Sequence, residues 1–126
     1  MAHTTSTQQM VLQVYDTEGH AYKVRICVDE KAAQGTLVIT ESAAGETRQH
    51  ELTQLQKSRD GKILVFKSSG ATVTLTIEEA PTAPRLHLVA RIFVPVVDTT
   101  YILSQAEQER LVAWINTLSL GVVSSV

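Results

Sequence analysis

The sequence predicts a mainly β fold. We expect a single-domain antiparallel meander of about seven strands that curls into a barrel or roll and is closed by a C-terminal amphipathic helix. Val, Ile and Thr supply 15, 7 and 15 of the 126 residues, and branched side chains fit a pleated strand better than a helix. Apolar and polar residues alternate between short turns over most of the chain. Near the C-terminus the apolar spacing changes to that of a helix.

Six segments are rich in apolar and β-branched residues and are predicted to be strands, and Gly, Asp-Gly or Pro residues interrupt the chain between most of them. These strands are predicted at 10–16, 21–28, 35–42, 63–67, 72–78 and 85–94. Segment 47–56 is ambiguous, because Leu52 and Leu55 are three residues apart. That spacing suits a helical turn or a bulged strand better than a regular strand.

The last predicted strand, 85–94, has a long apolar face. Ile92 and Val94 continue the alternation that begins at Leu86, so we expect them to point inward. Pro95 ends this strand or marks a sheet edge, because proline cannot donate to a strand ladder.

The C-terminal helix is predicted at about 105–119. Ser104 and Glu107 have the spacing of a capping box, in which the serine accepts from a free backbone amide and the glutamate reaches back to the cap. Gln108 is expected away from the apolar stripe, together with Glu109 and Asn116. The stripe comprises Leu111, Trp114, Ile115 and Leu118.

These elements predict one domain over 9–120, with a flexible N-terminal tail over 1–8 and a C-terminal tail over 121–126. A chain of this length buries enough surface to form a core without a metal or a disulfide. Curling into a barrel or stacking as two sheets would protect the edges that an open sheet of seven strands exposes.

This order of elements resembles the pleckstrin-homology superfold, which has seven strands in meander order followed by a capping helix. Trp114 in the helix and Lys23-Val24-Arg25 after the first turn are similar to motifs of that family. Phosphoinositide-binding members carry further basic residues in the first hairpin, whereas this turn carries Asp16 and Glu18. The resemblance therefore implies the architecture without lipid headgroup binding.

Two other small barrels are alternatives. Thr40-Glu41-Ser42-Ala43-Ala44-Gly45 resembles the later part of the Asp/Asn-x-Ser-x-x-Gly motif of PilZ domains, which bind a cyclic dinucleotide. The upstream pair of arginines of that family is absent, since Arg25 is the only arginine before residue 40. This resemblance implies at most a degenerate nucleotide-binding barrel. A lipocalin-like small barrel is the second alternative.

Charge and composition exclude several function classes. Eleven basic and 13 acidic residues give a formal net charge of -2, which disfavours nucleic-acid binding. The one cysteine, Cys27, excludes an internal disulfide and a multi-cysteine zinc site. No apolar run is long enough to span a membrane, and the N-terminus has no features of a secretory signal. We expect a cytoplasmic location.

No catalytic constellation is visible. The four histidines have no spacing that aligns two of them on one element as metal ligands. Cys27 shares a strand face with Lys23 and Arg25, which would favour a thiolate, but an isolated cysteine of this kind is usually packed and inert. We predict no catalytic, cofactor or metal residues and no enzyme activity. An enzyme with an unrecognised site around Cys27, His50 or His87 is an alternative.

Two predicted strands, 63–67 and 85–94, have apolar residues on both faces, which a one-sided sheet would not show. A helix, another sheet or a second subunit must then cover the second face. If the helix covers only part of it, the remainder is an apolar patch for self-association or for a protein partner. The candidate interaction surface comprises Phe66, Val89, Phe93, Val96 and Val97.

We therefore predict a non-catalytic β-barrel domain that acts as a binding or protein-interaction module. The main alternative is a carrier of a small apolar ligand inside the barrel, which needs a lumen that side chains leave unfilled. Such a cavity would be lined by Tyr22, Ile26, Val73, Leu75 and Leu88.

Overall fold

Eight strands follow one another as an antiparallel meander in the computed structural model, which describes residues 7–78, 84–93 and 95–123. Their bounds are β1 Thr7–Tyr15, β2 Ala21–Asp29, β3 Gln34–Glu41, β4 Thr47–Lys57, β5 Ile63–Ser68, β6 Ala71–Glu78, β7 Arg85–Arg91 and β8 Pro95–Ile102. Helix α1, Gln105–Thr117, and a short strand β9, Gly121–Val122, complete the described elements. The prediction of a mainly β chain with one C-terminal helix is confirmed.

The eight strands form a ring. Each strand pairs with the next along the chain, and β8 returns to β1 through a single pair, Ile102 opposite Tyr15. The ring closure is strongly offset, because the antiparallel strands β1 and β8 overlap only at their C-terminal residues. Over 7–14, β1 has β2 as its only strand neighbour among the described residues.

Helix α1 lies beside this unpaired part of β1. The Glu107 carboxylate accepts a hydrogen bond from the backbone N–H of Gln13 at 2.8 Å. The Arg110 guanidinium donates to the Val11 carbonyl at 3.4 Å and forms an ion pair with Glu107. The helix thus satisfies backbone groups of β1 that a neighbouring strand would otherwise pair.

The core is mostly aliphatic, with Phe66 and Tyr101 as aromatic members, and it lies inside the ring, with α1 contributing one face. Leu111, Ile115 and Leu118 are at most 2% exposed. Gln108 is also buried, so its predicted position away from the stripe is wrong. The reason is the helical period, since Gln108 precedes Leu111 by three residues and Ile115 by seven.

The eighth strand is the main departure from the predicted elements. The sequence predicts a strand to residue 94, but β7 ends at Arg91 and the chain turns. Ile92, expected to point inward, is therefore 57% exposed, and Val94 lies outside the described residues. Pro95 begins β8, a position that its missing N–H permits.

The ambiguous segment is a bulged strand. The register of β4 against β5 shifts between Thr53 and Gln56, and Gln54 adopts a positive φ of 53°. One extra residue at a bulge lets side chains three positions apart face the same side. Leu52 and Leu55 are accordingly both in the core.

The ends of the elements differ slightly from the predictions. The N-terminal strand begins at Thr7, inside the expected tail, and residues 1–6 lie outside the described part of the chain. Two residues of the expected C-terminal tail form β9, which pairs in parallel with Gln56 and Lys57 of β4. Helix α1 ends at Thr117 rather than near 119. No helix among the residues described is long and apolar enough to cross a membrane.

Candidate functional site

One end of the ring is covered by the helix and the residues after it. The Lys57 ammonium donates to the carbonyls of Ile115 at 3.3 Å and Asn116 at 3.2 Å. The Ser119 N–H donates to the Glu30 carboxylate, in the turn between β2 and β3, at 2.6 Å. We call this the closed end.

The other end carries the turns that join β1 to β2, β3 to β4, β5 to β6 and β7 to β8. In a meander alternate connections fall at the same end of the strands, although the offset closure sets the turn at 92–93 apart from the turn at 16–20 by the length of β8, because Ile102 pairs with Tyr15. The four turns comprise residues 16–20, 42–46, 69–70 and 92–93. We call this the open end, and it contains the features that suggest binding.

A cavity of about 290 Å³ lies at the open end. Its walls combine aromatic, apolar and acidic side chains with one arginine. The lining residues are Asp16, Tyr22, Ile39, Glu41, Glu46, Arg48, Thr99 and Tyr101. Four strands and two turns contribute to this cavity, which we call the mouth cavity.

Two tyrosines form the inner part of the mouth cavity. The rings of Tyr22 and Tyr101 meet edge to face, with centroids 5.4 Å apart and planes at 63°. Tyr101 is 7% exposed, and its hydroxyl has no hydrogen-bond partner among the residues that the structure describes. Burial raises the pKa of Tyr101, and nearby Asp16 raises it further while Arg48 opposes this. Tyr101 therefore stays protonated and presents an unused hydroxyl.

Asp16 organises the first turn at the edge of the mouth cavity. Its carboxylate accepts from the backbone N–H groups of Glu18 and His20, both at 2.9 Å, and lies 3.0 Å from the His20 ring. Burial acts to raise the pKa of Asp16, but these hydrogen bonds outweigh it and the pKa is lowered. The same side-chain contact raises the pKa of His20. The turn is thus held by a charge-assisted pair.

The predicted interaction surface is only partly on the surface. Phe93 is 94% exposed, beside Ile92 in the turn of the open end. Phe66 is 2% exposed and lies in the core, so its predicted place on an exposed surface is wrong. It points inward because it shares a face of β5 with Leu64 and Ser68, which are also buried.

The other predicted members lie on strands. Val89 is half-buried on the outer face of β7, and Val97 is half-buried and packs against the core. The side chain of Val96 lies outside the described part of the structure. Among the members whose side chains the structure describes, Phe93 is the fully exposed one.

The residues proposed for an unrecognised enzyme site do not converge. Cys27 lies on the outer face of β2, with its sulfur 3.8 Å from the Gln9 amide oxygen. His50 lines a different cavity at the open end. Burial, assisted by the charge of Arg48, lowers the pKa of His50.

His87 lies on the outer face of β7. One ring nitrogen is 2.6 Å from the Asp98 carboxylate, and the other is 3.4 Å from the Thr100 hydroxyl. This acid, histidine and hydroxyl set is triad-like in composition. It lies across two neighbouring strands, with Asp98 and Thr100 on β8. None of the cavities described here is lined by His87.

Side chains fill the centre of the ring. Four residues expected to line a ligand cavity are each at most 3% exposed and belong to one core cluster: Ile26, Val73, Leu75 and Leu88. Tyr22, expected beside them, lines the mouth cavity instead. The described residues contain no group of three or more His, Cys, Asp and Glu side chains that could hold a metal ion.

Sequence reasoning missed most of the mouth cavity. It noted the acidic first turn at Asp16, but Glu46, Arg48 and Tyr101 come from segments far apart in the chain. Only the closure of the ring brings these segments together. No family model, curated protein or solved structure matches the chain.

Proposed function

We propose that this chain is a non-catalytic protein-interaction module that docks a protein partner at its open end. The observation that carries the proposal is the exposure of Phe93, at 94%, beside Ile92, at 57%. Large apolar side chains together on a turn mark a contact surface better than one scattered apolar residue does. Aromatic residues are also enriched among the anchors of protein interfaces.

Two neighbouring features suit a partner at this end. Ile92 lines a cavity of about 340 Å³ between β4 and the turn that follows β5, together with His50 and Ser69. Over 95–101, β8 has β7 as its only strand neighbour among the described residues. A sheet edge of this kind can accept an added strand. Phe93 would then anchor a partner beside a groove and an edge.

Other functions have less support. The buried side chains inside the ring leave little room for the proposed apolar cargo, and Cys27, His50 and His87 lie apart. A pleckstrin-homology-like architecture is also part of this proposal, on the basis of the meander order and the C-terminal helix, although the described residues form nine strands against the seven or so expected. A cytoplasmic location is part of this proposal, and it is consistent with a chain whose one cysteine, Cys27, is a free thiol.

Site-specific photo-crosslinking in the native cells tests the docking surface. A photoreactive phenylalanine replaces Phe93 in one variant and Arg59, exposed in a turn at the closed end, in a matched control. We expect a discrete crosslinked product from position 93 and none from position 59. Adding Ile92→Ser should reduce the yield, because it removes the apolar neighbour.

The mass of the product identifies the partner class. A product of twice the chain mass of 13.8 kDa shows self-association, and any other discrete mass shows a different protein. Equal crosslinking from both positions, or no discrete product from position 93, would contradict docking at the open end.

A further inference from the structure

We propose that the mouth cavity binds a monovalent organic cation, an alkylammonium or guanidinium group. The occupant is either the tip of a lysine or arginine side chain of a protein partner or a free small amine. The proposal deepens the interaction role suggested above, because it gives the open end a chemical preference. It stands on three observations: the charge of the rim, the two tyrosines and the size of the cavity.

The rim of the mouth cavity is acidic. Three carboxylates, from Asp16, Glu41 and Glu46, outnumber the single guanidinium of Arg48. Asp16 is occupied by the first turn, but the side chains of Glu41 and Glu46 form no hydrogen bond or ion pair in the described part of the chain. Two carboxylates with unused acceptor positions favour a cationic group and repel an anion.

The hydroxyl of Tyr101 is available to a ligand. It has no hydrogen-bond partner among the described residues and is open to the cavity, since the fully enclosed polar atom without a partner among those residues is the Trp114 indole nitrogen. Tyr101 is 7% exposed, and it lines the mouth cavity. A bound N–H donor would give this hydroxyl its missing partner. The ring of Tyr22, set at 63° to that of Tyr101, adds a π face that attracts a cation.

The cavity volume fits a small group. About 290 Å³ is at the lower limit of ligand pockets, so it suits a side-chain tip or a small amine rather than a nucleotide. A cluster suited to a metal ion is absent from the described residues. An organic cation can use the aromatic walls and the carboxylates together.

Titration of the purified chain with three probes tests the inference. The probes are n-butylammonium, n-butylguanidinium and neutral n-butanol, and binding is followed by amide chemical shifts in heteronuclear NMR. We expect both cations to shift the amides of Tyr22, Glu41 and Tyr101, while butanol does not. The affinity should fall as salt rises, because the ligand is charged.

Three variants and two matched controls locate the site. Two variants should each weaken cation binding by about tenfold, the loss expected for one hydrogen bond to a charged group. They are Tyr101→Phe and the double variant that combines Glu41→Gln with Glu46→Gln. Arg48→Gln should strengthen it, because it removes the competing positive charge. The controls are Tyr15→Phe and Glu51→Gln, exposed residues that do not line the mouth cavity, and they should leave binding unchanged.

Several outcomes would overturn the inference. These are binding of butanol as strong as that of the cations, shifts that map outside the mouth cavity, and affinities unchanged in both groups of cavity variants. The thermal unfolding of each variant shows whether it is folded. Failure of the cations to bind the folded chain, with crosslinking at position 93 intact, rejects the cation site and leaves the interaction role standing.

A further comparison separates the two sources of the cation. N-acetyl-lysine methylamide carries the ammonium group on a blocked backbone. Binding as strong as that of butylammonium supports a partner side chain, because the cavity then admits a cation tethered to a chain. Binding of butylammonium alone supports a free small amine.

Discussion

The carboxylate of Glu107 in α1 accepts from the backbone N–H of Gln13 in β1 at 2.8 Å. The sequence pattern assigns Glu107 to a capping box with Ser104, and half of that box forms. Ser104 accepts from the Glu107 N–H at 3.1 Å, whereas the Glu107 side chain turns to the strand. The helix thereby covers a sheet edge that the offset of β8 leaves open, and an open edge favours aggregation.

Removing the Glu107 carboxylate should destabilise the chain. Glu107→Ala leaves the Gln13 N–H without its acceptor, and a hydrogen bond to a charged group contributes about 1.5–3 kcal/mol. We expect a loss of about 2 kcal/mol in the free energy of unfolding, measured in urea. Hydrogen exchange of the Gln13 amide should accelerate as well.

Two comparisons isolate this bond. Glu107→Gln keeps an oxygen acceptor and should lose less, whereas a charge effect alone at the helix N-terminus would affect both variants similarly. Glu109→Ala removes an exposed carboxylate of the same helix and should change stability by less than about 0.5 kcal/mol. A loss from Glu109→Ala as large as that from Glu107→Ala would mean that the edge contact contributes nothing.

The C-terminus of α1 depends on a lysine from another element. The last turn of the helix contains no basic residue, and the Lys57 ammonium of β4 supplies the positive charge there. Lys57→Met should therefore lower the free energy of unfolding by about 1 kcal/mol, which is the usual stabilisation by a cation at a helix C-terminus. Lys67→Met is the control, because Lys67 is exposed and its ammonium contacts the Thr72 hydroxyl. Similar urea midpoints for the two variants would argue against this role.

Gly35 is required by a close approach of two strands. A Cβ at this position would overlap the carbonyl oxygen of Cys27 in the paired strand β2. Gly35→Ala must move the backbone, and we expect a loss of about 3 kcal/mol or more in the free energy of unfolding. A Cβ at Gly121 would have no atom of the described residues closer than 3.9 Å, so Gly121→Ala should be near neutral. An unfolding midpoint for Gly35→Ala equal to that of the wild type would contradict the tight pairing.

Local patterns predicted the strands and the helix, but not how the ring closes. Alternation located segments such as 72–78, because one face of a strand is buried and the other is not. The strand from Pro95 escaped prediction because its first residues continue an apolar run across the turn at Phe93. The mouth cavity escaped for a different reason, since Glu46 and Tyr101 become neighbours only when β8 returns to β1. No local spacing encodes that contact.

The pKa values of two histidines should lie on opposite sides of the ordinary value of about 6.5. Contact with the Asp16 carboxylate raises the pKa of His20, and burial lowers the pKa of His50. NMR titration should show His20 losing its proton at a higher pH than His50, with assignments from His20→Gln and His50→Gln. Asp16→Asn should lower the pKa of His20.

The same shifts predict the pH dependence of stability. The pKa of His20 is raised on folding, so its contribution is complete below about pH 6.5 and is lost as the pH rises through the folded value. The stability difference between wild type and His20→Gln should therefore shrink as the pH rises. The pKa of His50 is lowered, so His50→Gln should gain relative stability as the pH falls below about 6.5. A wild-type advantage over His20→Gln that grows with pH would contradict the Asp16 pairing.

Trp114 packs half-buried against the core, and its indole N–H is buried without an acceptor among the described residues. Replacing a wholly buried tryptophan by alanine lowers the free energy of unfolding by about 3–5 kcal/mol. We expect Trp114→Ala to lower it by less, because Trp114 is only half-buried. Trp114→Phe removes the unpaired donor, which relieves a cost of about 1–3 kcal/mol, and loses some packing. We expect these effects to offset each other to within about 1 kcal/mol in urea unfolding.

Leu111→Ala, at a fully buried position of the same helix, should cost about 2–5 kcal/mol. If Trp114→Phe is as damaging as Trp114→Ala, the indole N–H stabilises the fold and this account of Trp114 is wrong.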